Sequence, residues 1–202
     1  MNILVLGGKQ TCGPGLPTGR GYLAQFLRRH RADRRSVQVD YRPVTLAEAT
    51  QLLPRLRLTV YDLIILQFDT PLSWLPKTAS RRLLMRGTLG LYGQKMACFQ
   101  DVRSQLSRVL LQVQLYRRQV VLMSPLPHAG RLEQQVGQLT RTVYVQQSRD
   151  WQVPLFDVMA HLPGGDELFQ ADSPDHLSAV AHEVLGSELH TFITEPTCTL
   201  WP

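Results

Sequence analysis

Short apolar runs closed by turn residues alternate along this chain with longer stretches of helical period, and this alternation constrains the fold more than any other feature. The runs are Ile3-Leu4-Val5-Leu6, ended by Gly7-Gly8; Leu63-Ile64-Ile65-Leu66, within 60–68; and Gln119 to Met123, ended by Ser124-Pro125-Leu126-Pro127. Consecutive apolar residues without polar alternation suit strands buried on both faces. Val37 to Tyr41 alternates like a strand, and Val153 to Val158 reads as a fifth.

The intervening segments carry helical signals. Tyr22, Leu23, Phe26 and Leu27 share one face from Arg20 to about His30. Thr45 has Glu48 three residues on, the spacing of a capping box, and predicts a helix to about Arg57. Val102, Leu106, Val109, Leu110, Val113 and Tyr116 stripe a long helix; Arg131 to about Gln147 is polar and Gln-rich. Leu177, Val180, Ala181, Val184, Leu185 and Leu189 mark the last helix. The stretch from Pro71 to Phe99 reads as irregular, with Pro71, Pro76, Gly87, Gly90 and Gly93 as breakers. Strands alternating with helices predict an α/β fold whose parallel sheet is covered on both faces, with ligands beyond the carboxyl ends of the strands. A chain of 202 residues buries about 70% of its unfolded surface, and no repeat or linker divides it, so one domain over 1–202 is expected.

The net charge is +6, but it is unevenly spread. All 22 basic residues lie at or before Arg149, whereas the segment from 150 onward holds acids and no base. The basic body invites a nucleic-acid reading, centred on Arg28, Arg29, Arg31, Arg34 and Arg35. No aromatics interleave to stack on bases, so nucleic acid is not the expected partner. The acidic end could instead neutralise the basic part within the monomer or in a neighbouring copy of a homo-oligomer.

Cys12, Cys98 and Cys198 have no C-x-x-C spacing, so neither a disulfide framework nor a metal site is expected, and a reducing compartment follows. The first apolar run is too short for a signal-peptide core, and no stretch approaches the ~18 apolar residues of a membrane span. A cytoplasmic protein without membrane contact is the expectation. The spacing G-x-x-x-x-G-K-[ST] is absent around Lys9, and no G-x-G-x-x-G follows a strand, so no nucleotide cofactor is expected.

The block Ile3-Leu4-Val5-Leu6-Gly7-Gly8-Lys9-Gln10-Thr11 resembles the opening block of the SGNH (GDSL-type) hydrolases, where a strand runs into Gly-Asp-Ser. Leu168 to His182, with Asp172-Ser173-Pro174-Asp175-His176-Leu177-Ser178, resembles their closing block. Asp62 to Thr70, Val120 to Pro127 and Val153 to Leu162 resemble the third, fourth and fifth strands. The resemblance implies a three-layer α/β/α fold with a five-stranded parallel sheet in flavodoxin-like order. It also implies ester hydrolysis by a serine, a histidine and an aspartate, with an oxyanion held by backbone, glycine and asparagine donors.

Several of those parts differ here. Lys9 stands at the nucleophile position and Gly8 at the preceding Asp. No glycine occurs between Tyr22 and Arg86, where the second block needs one, and Asp69-Thr70-Pro71-Leu72 aligns with Gly-x-Asn-Asp, placing Pro71 at the asparagine donor. A protonated amine forms no acyl ester, and proline donates nothing. His176 is in place; its family partner three residues back is Ser173, with Asp172 one residue too far and Asp175 adjacent. The resemblance therefore implies a hydrolase fold without hydrolysis that binds a small-molecule ligand or protein partner in the former cleft. The expected cleft residues are Gly7, Gly8, Lys9, Thr11, Asp69 and Thr70, with His176 and Asp172 as residual catalytic residues. Lys9 either binds an anion with the neighbouring amides or pairs with Asp69. The alternative is a divergent esterase or carbohydrate deacetylase using His176 with Thr11 or Cys12 as a relocated nucleophile.

Overall fold

Strand β1 (Asn2–Gly7) lies inside the sheet with a neighbour on each side, as its unbroken apolar run requires. In the computed structural model, which describes residues 1–33, 36–70, 72–92, 96–162 and 166–195, β1 is joined by β2 (Gln38–Pro43), β3 (Leu63–Gln67), β4 (Val120–Met123) and β5 (Leu155–Phe156). Their order is β2-β1-β3-β4-β5 and every pairing is parallel. This is the expected flavodoxin-like sheet.

The period-2 alternation of strand side chains sorts one sequence run into two cores. Ile3, Val5, Leu63, Ile65, Val121 and Met123 face α1 (Tyr22–Asp33) and α7 (Ala179–Thr194). Leu4, Leu6, Ile64, Leu66, Val120 and Leu122 face α2 (Leu46–Leu52), α4 (Ala97–Val113) and α5 (Arg131–Trp151). Each buried aliphatic side chain contributes about 1.5–3 kcal/mol of transfer free energy, so neither face can be turned to water. Helices α1 and α7 touch backbone to backbone: a Cβ on Gly186 would lie 2.8 Å from the Tyr22 carbonyl oxygen and 2.9 Å from the Phe26 nitrogen.

The capping box of α2 forms as the spacing predicts, with Thr45 Oγ1 accepting from the Glu48 amide at 3.3 Å and Glu48 Oε2 accepting from the Thr45 amide at 2.7 Å. The helix ends earlier than expected, at Leu52, and tightens into a 3-10 turn to Arg55 around Pro54.

Other expectations need correction. The region read as irregular contains α3 (Ala79–Tyr92). Gly87 sits where an added Cβ would meet nothing within 4 Å, so a helical glycine there costs only its propensity, about 1 kcal/mol. The fifth strand is two residues long rather than the six of 153–158, and a one-turn helix, α6 (Val158–His161), follows it. Leu177 belongs not to the last helix but to an antiparallel hairpin of β6 (Phe169–Gln170) and β7 (Ser173–Leu177), which the sequence reading missed. Arg28, Arg29 and Arg31 lie on the exposed side of α1, and Arg34 and Arg35 fall outside the described residues. Among the described residues no helix is long and apolar enough to cross a membrane.

Candidate functional site

Parallel pairing in register sets Gly7 opposite Gln67, so the turns leaving β1 and β3 emerge side by side at the carboxyl edge of the sheet. The first turn is a 3-10 helix over Lys9–Cys12. Gln67, wholly buried, organises it. Its main-chain carbonyl accepts from the Gly8 amide at 3.0 Å. Its side-chain Oε1 accepts from the same amide at 3.2 Å and from Thr11 Oγ1 at 2.8 Å. Its Nε2 reaches Asp69 Oδ1 at 3.5 Å. The Tyr22 hydroxyl adds a weak bond to Thr11 Oγ1 at 3.4 Å, and Tyr41 donates to the Gly8 carbonyl at 3.0 Å. A buried polar group is tolerated when it is hydrogen-bonded, and both functional groups of the Gln67 amide are used.

Asp69 closes this network. Its Oδ2 accepts from the Lys9 amide at 3.0 Å. The expected pairing of Lys9 with Asp69 is therefore made by the main chain, and among the described residues the Lys9 ammonium forms no ion pair with that carboxylate. The approach depends on glycine at position 8, since a Cβ there would lie 2.2 Å from the Asp69 carboxyl carbon. Burial pushes the Tyr22 and Tyr144 hydroxyls well above the ordinary tyrosine range, and the Asp69 charge pushes the same way. Burial also pushes Tyr41 up to about 12, with Cys12 the next contributor.

Beside Lys9 opens a cleft of about 770 Å³, walled by the start of α2, the residues after β3, and α4 and α5. Gly7, Gly8, Lys9, Asp69 and Thr70 line it together with Trp74, Asp101 and Tyr144. Thr70 Oγ1 is buried with no hydrogen-bond partner. Tyr144 is 1% exposed, and among the described residues its hydroxyl has no partner either. A second concavity, of about 1170 Å³, lies between α3, the start of α5 and the β6 region. Among the described residues no three His, Cys, Asp or Glu side chains gather to hold a metal ion.

The other expected residues stand elsewhere. Thr11 is fully buried behind the turn, bonded to Gln67, and does not line the cleft. Cys12 is exposed. His176 and Asp172 belong to the β6–β7 hairpin and its turn and are not among the residues lining the cleft. His176 Nδ1 lies 3.0 Å from Ser173 Oγ, the family's partner position. Asp172 is exposed and has no hydrogen bond or ion pair among the described residues. Pro71 and the Asp175 side chain lie outside the described residues.

Sequence reasoning missed four groups. Gln67 was signalled by a polar residue closing an apolar strand. Asp101 and Tyr144 gave no local signal, because their places on α4 and α5 acquire meaning only once the helices pack. His182, fully buried on α7, accepts the Tyr22 amide on Nδ1 at 3.0 Å. It thereby caps α1, whose preceding residue Gly21 has no side chain to do so. Burial lowers its pKa to about 4.

No family model matches the chain, and no curated protein matches it. Among solved structures, the psychrotrophic esterase EstA from Pseudoalteromonas sp. aligns over 94% of both chains with a TM-score of 0.63 at 17% identity. A variant of the acetyl xylan esterase Axe2 from Geobacillus stearothermophilus aligns over 96% of this chain and 94% of its own, with a TM-score of 0.65 at 15% identity. A lipolytic protein of the G-D-S-L family from Desulfitobacterium hafniense aligns over 94% and 97%, with a TM-score of 0.58 at 11% identity. The chain has the fold of the SGNH, or GDSL-type, hydrolases.

Proposed function

We propose that this SGNH-fold protein does not hydrolyse esters and instead binds a small ligand or a protein partner in the cleft beside Lys9. The observation that carries the reading is the Asp69 carboxylate on the Lys9 amide at 3.0 Å. Hydrolysis by an oxyanion mechanism needs donors free to meet the negative charge that develops on the carbonyl oxygen. At the nucleophile position the backbone donor is already taken, and by a negative charge. The side chain of Lys9 supplies no hydroxyl for an acyl-enzyme. A divergent esterase would need a hydroxyl or thiol against His176, and the Thr11 hydroxyl is turned to Gln67 instead. The free thiols of Cys12 and Cys98 accord with a reducing, cytoplasmic setting.

The purified protein is expected to give no turnover of nitrophenyl acetate or butyrate above the buffer rate. Turnover that disappears in His176→Ala would overturn the proposal.

A further inference from the structure

We infer that the cleft beside Lys9 takes an organic cation, an ammonium group carried on a short apolar body. The inference rests on the binding reading above and adds the chemical class of the ligand. Its ground is which polar groups of the cleft are already occupied.

Three main-chain donors of the lining are already bonded. The Lys9 amide is bonded to Asp69, and the Thr45 and Glu48 amides are taken by the capping box of α2. The carboxylates of the lining carry bonds too, Glu48 to Thr45, Asp69 to the Lys9 amide and Asp101 to Gln105 at 2.8 Å, but a carboxylate has lone pairs for further donors. Glu48, Asp69 and Asp101 set three carboxylates against the one ammonium of Lys9 among the lining residues. Glu48 is held ionised, its pKa lowered by its bonds to Thr45. The second observation is independent of these charges. Thr70 is 6% exposed and lines the cleft, and its buried hydroxyl has no partner among the described residues. An orphaned buried hydroxyl costs about 1–3 kcal/mol, and a ligand N–H supplies what the Thr70 oxygen lacks. Trp74, edge-on to Phe99 with ring centroids 5.8 Å apart, adds an indole to the wall, where aromatic faces attract cations.

Isothermal titration with phenethylamine, 2-phenylethanol, 3-phenylpropionate and methyl glucoside tests the inference on the intact protein. The amine is expected to bind saturably and at least tenfold tighter than the isosteric alcohol, with no heat from the carboxylate. Asp101→Asn, an exposed change on α4, is expected to weaken the amine at least tenfold, and Asp69→Asn to do the same. Binding of the alcohol, the carboxylate or the glucoside as tightly as the amine would overturn the cation assignment while leaving the cleft a binding site. Absence of saturable amine binding, or binding unchanged in both variants, would overturn it as well. The binding reading fails separately, through ester turnover.

Discussion

The turn leaving β1 and the hairpin carrying His176 come from the two blocks on which the sequence resemblance rests, yet the fold holds them by different means. The turn is fixed by a five-residue parallel register between β1 and β3 and by a buried glutamine. The hairpin pairs through a register irregular at Phe169 and Gln170, and its histidine meets Ser173 three residues back. Leu168 and Leu177 of the closing block reach the core, and His182 on α7 ties it to the start of α1. Residues anchored by sheet register stay where sequence order puts them, whereas the hairpin is placed by its own short pairing, by Leu177 in the core and by the bond from Gln170 to the Pro14 carbonyl, contacts that spacing does not encode.

Three measurements would break or sharpen this contrast. The largest effect belongs to His182. Its folded-state pKa is near 4 and its unfolded value is about 6.5, so the unfolded chain takes up the proton first as pH falls. Its contribution is complete above pH 6.5 and is lost on acidification towards pH 4, a decline of about 3 kcal/mol in unfolding free energy. Urea unfolding at pH 7 and pH 4.5 checks this, and His182→Gln is expected to flatten the slope. A wild-type stability that does not change across that range would remove the capping role.

Gln67→Leu comes next. It deprives the buried Thr11 hydroxyl of its acceptor and loosens Asp69, and about 2 kcal/mol of stability is expected to go with it. A loss under 0.5 kcal/mol in denaturant titration would show that the turn is held by the strands alone. The smallest effect is expected from His176→Ala and Ser173→Ala, each within about 0.5 kcal/mol of the parent and neutral towards amine binding. A loss of 2 kcal/mol in either would mean that the hairpin is anchored as firmly as the turn.

Much of the architecture was readable because β1, β3 and β4 are short apolar runs and no other element type buries both faces of four residues so cheaply. The capping box at Thr45 and Glu48 was equally local. The α3 helix was not, because Gly87 breaks the pattern in sequence yet meets open space in the fold. The two-residue strands β5 and β6 are defined by pairing partners rather than by their own composition. Within the cleft, Lys9 and Asp69 were found from the resemblance to the family's first and third blocks. The form of their contact was missed, since sequence suggests opposite charges and the geometry supplies an amide. Asp101 and Tyr144 became visible only through helix packing.

The contact between Asp69 and the Lys9 amide also dictates an order of events for any route back to hydrolysis. Serine at position 9 would restore a hydroxyl beside a donor still occupied by a carboxylate. Aspartate at position 8, the family's residue, has no room while that carboxylate stands 2.2 Å from where its Cβ would go. The Asp69 side chain must move before position 8 can carry one, and a serine at position 9 comes last, still without the asparagine donor that Pro71 replaces.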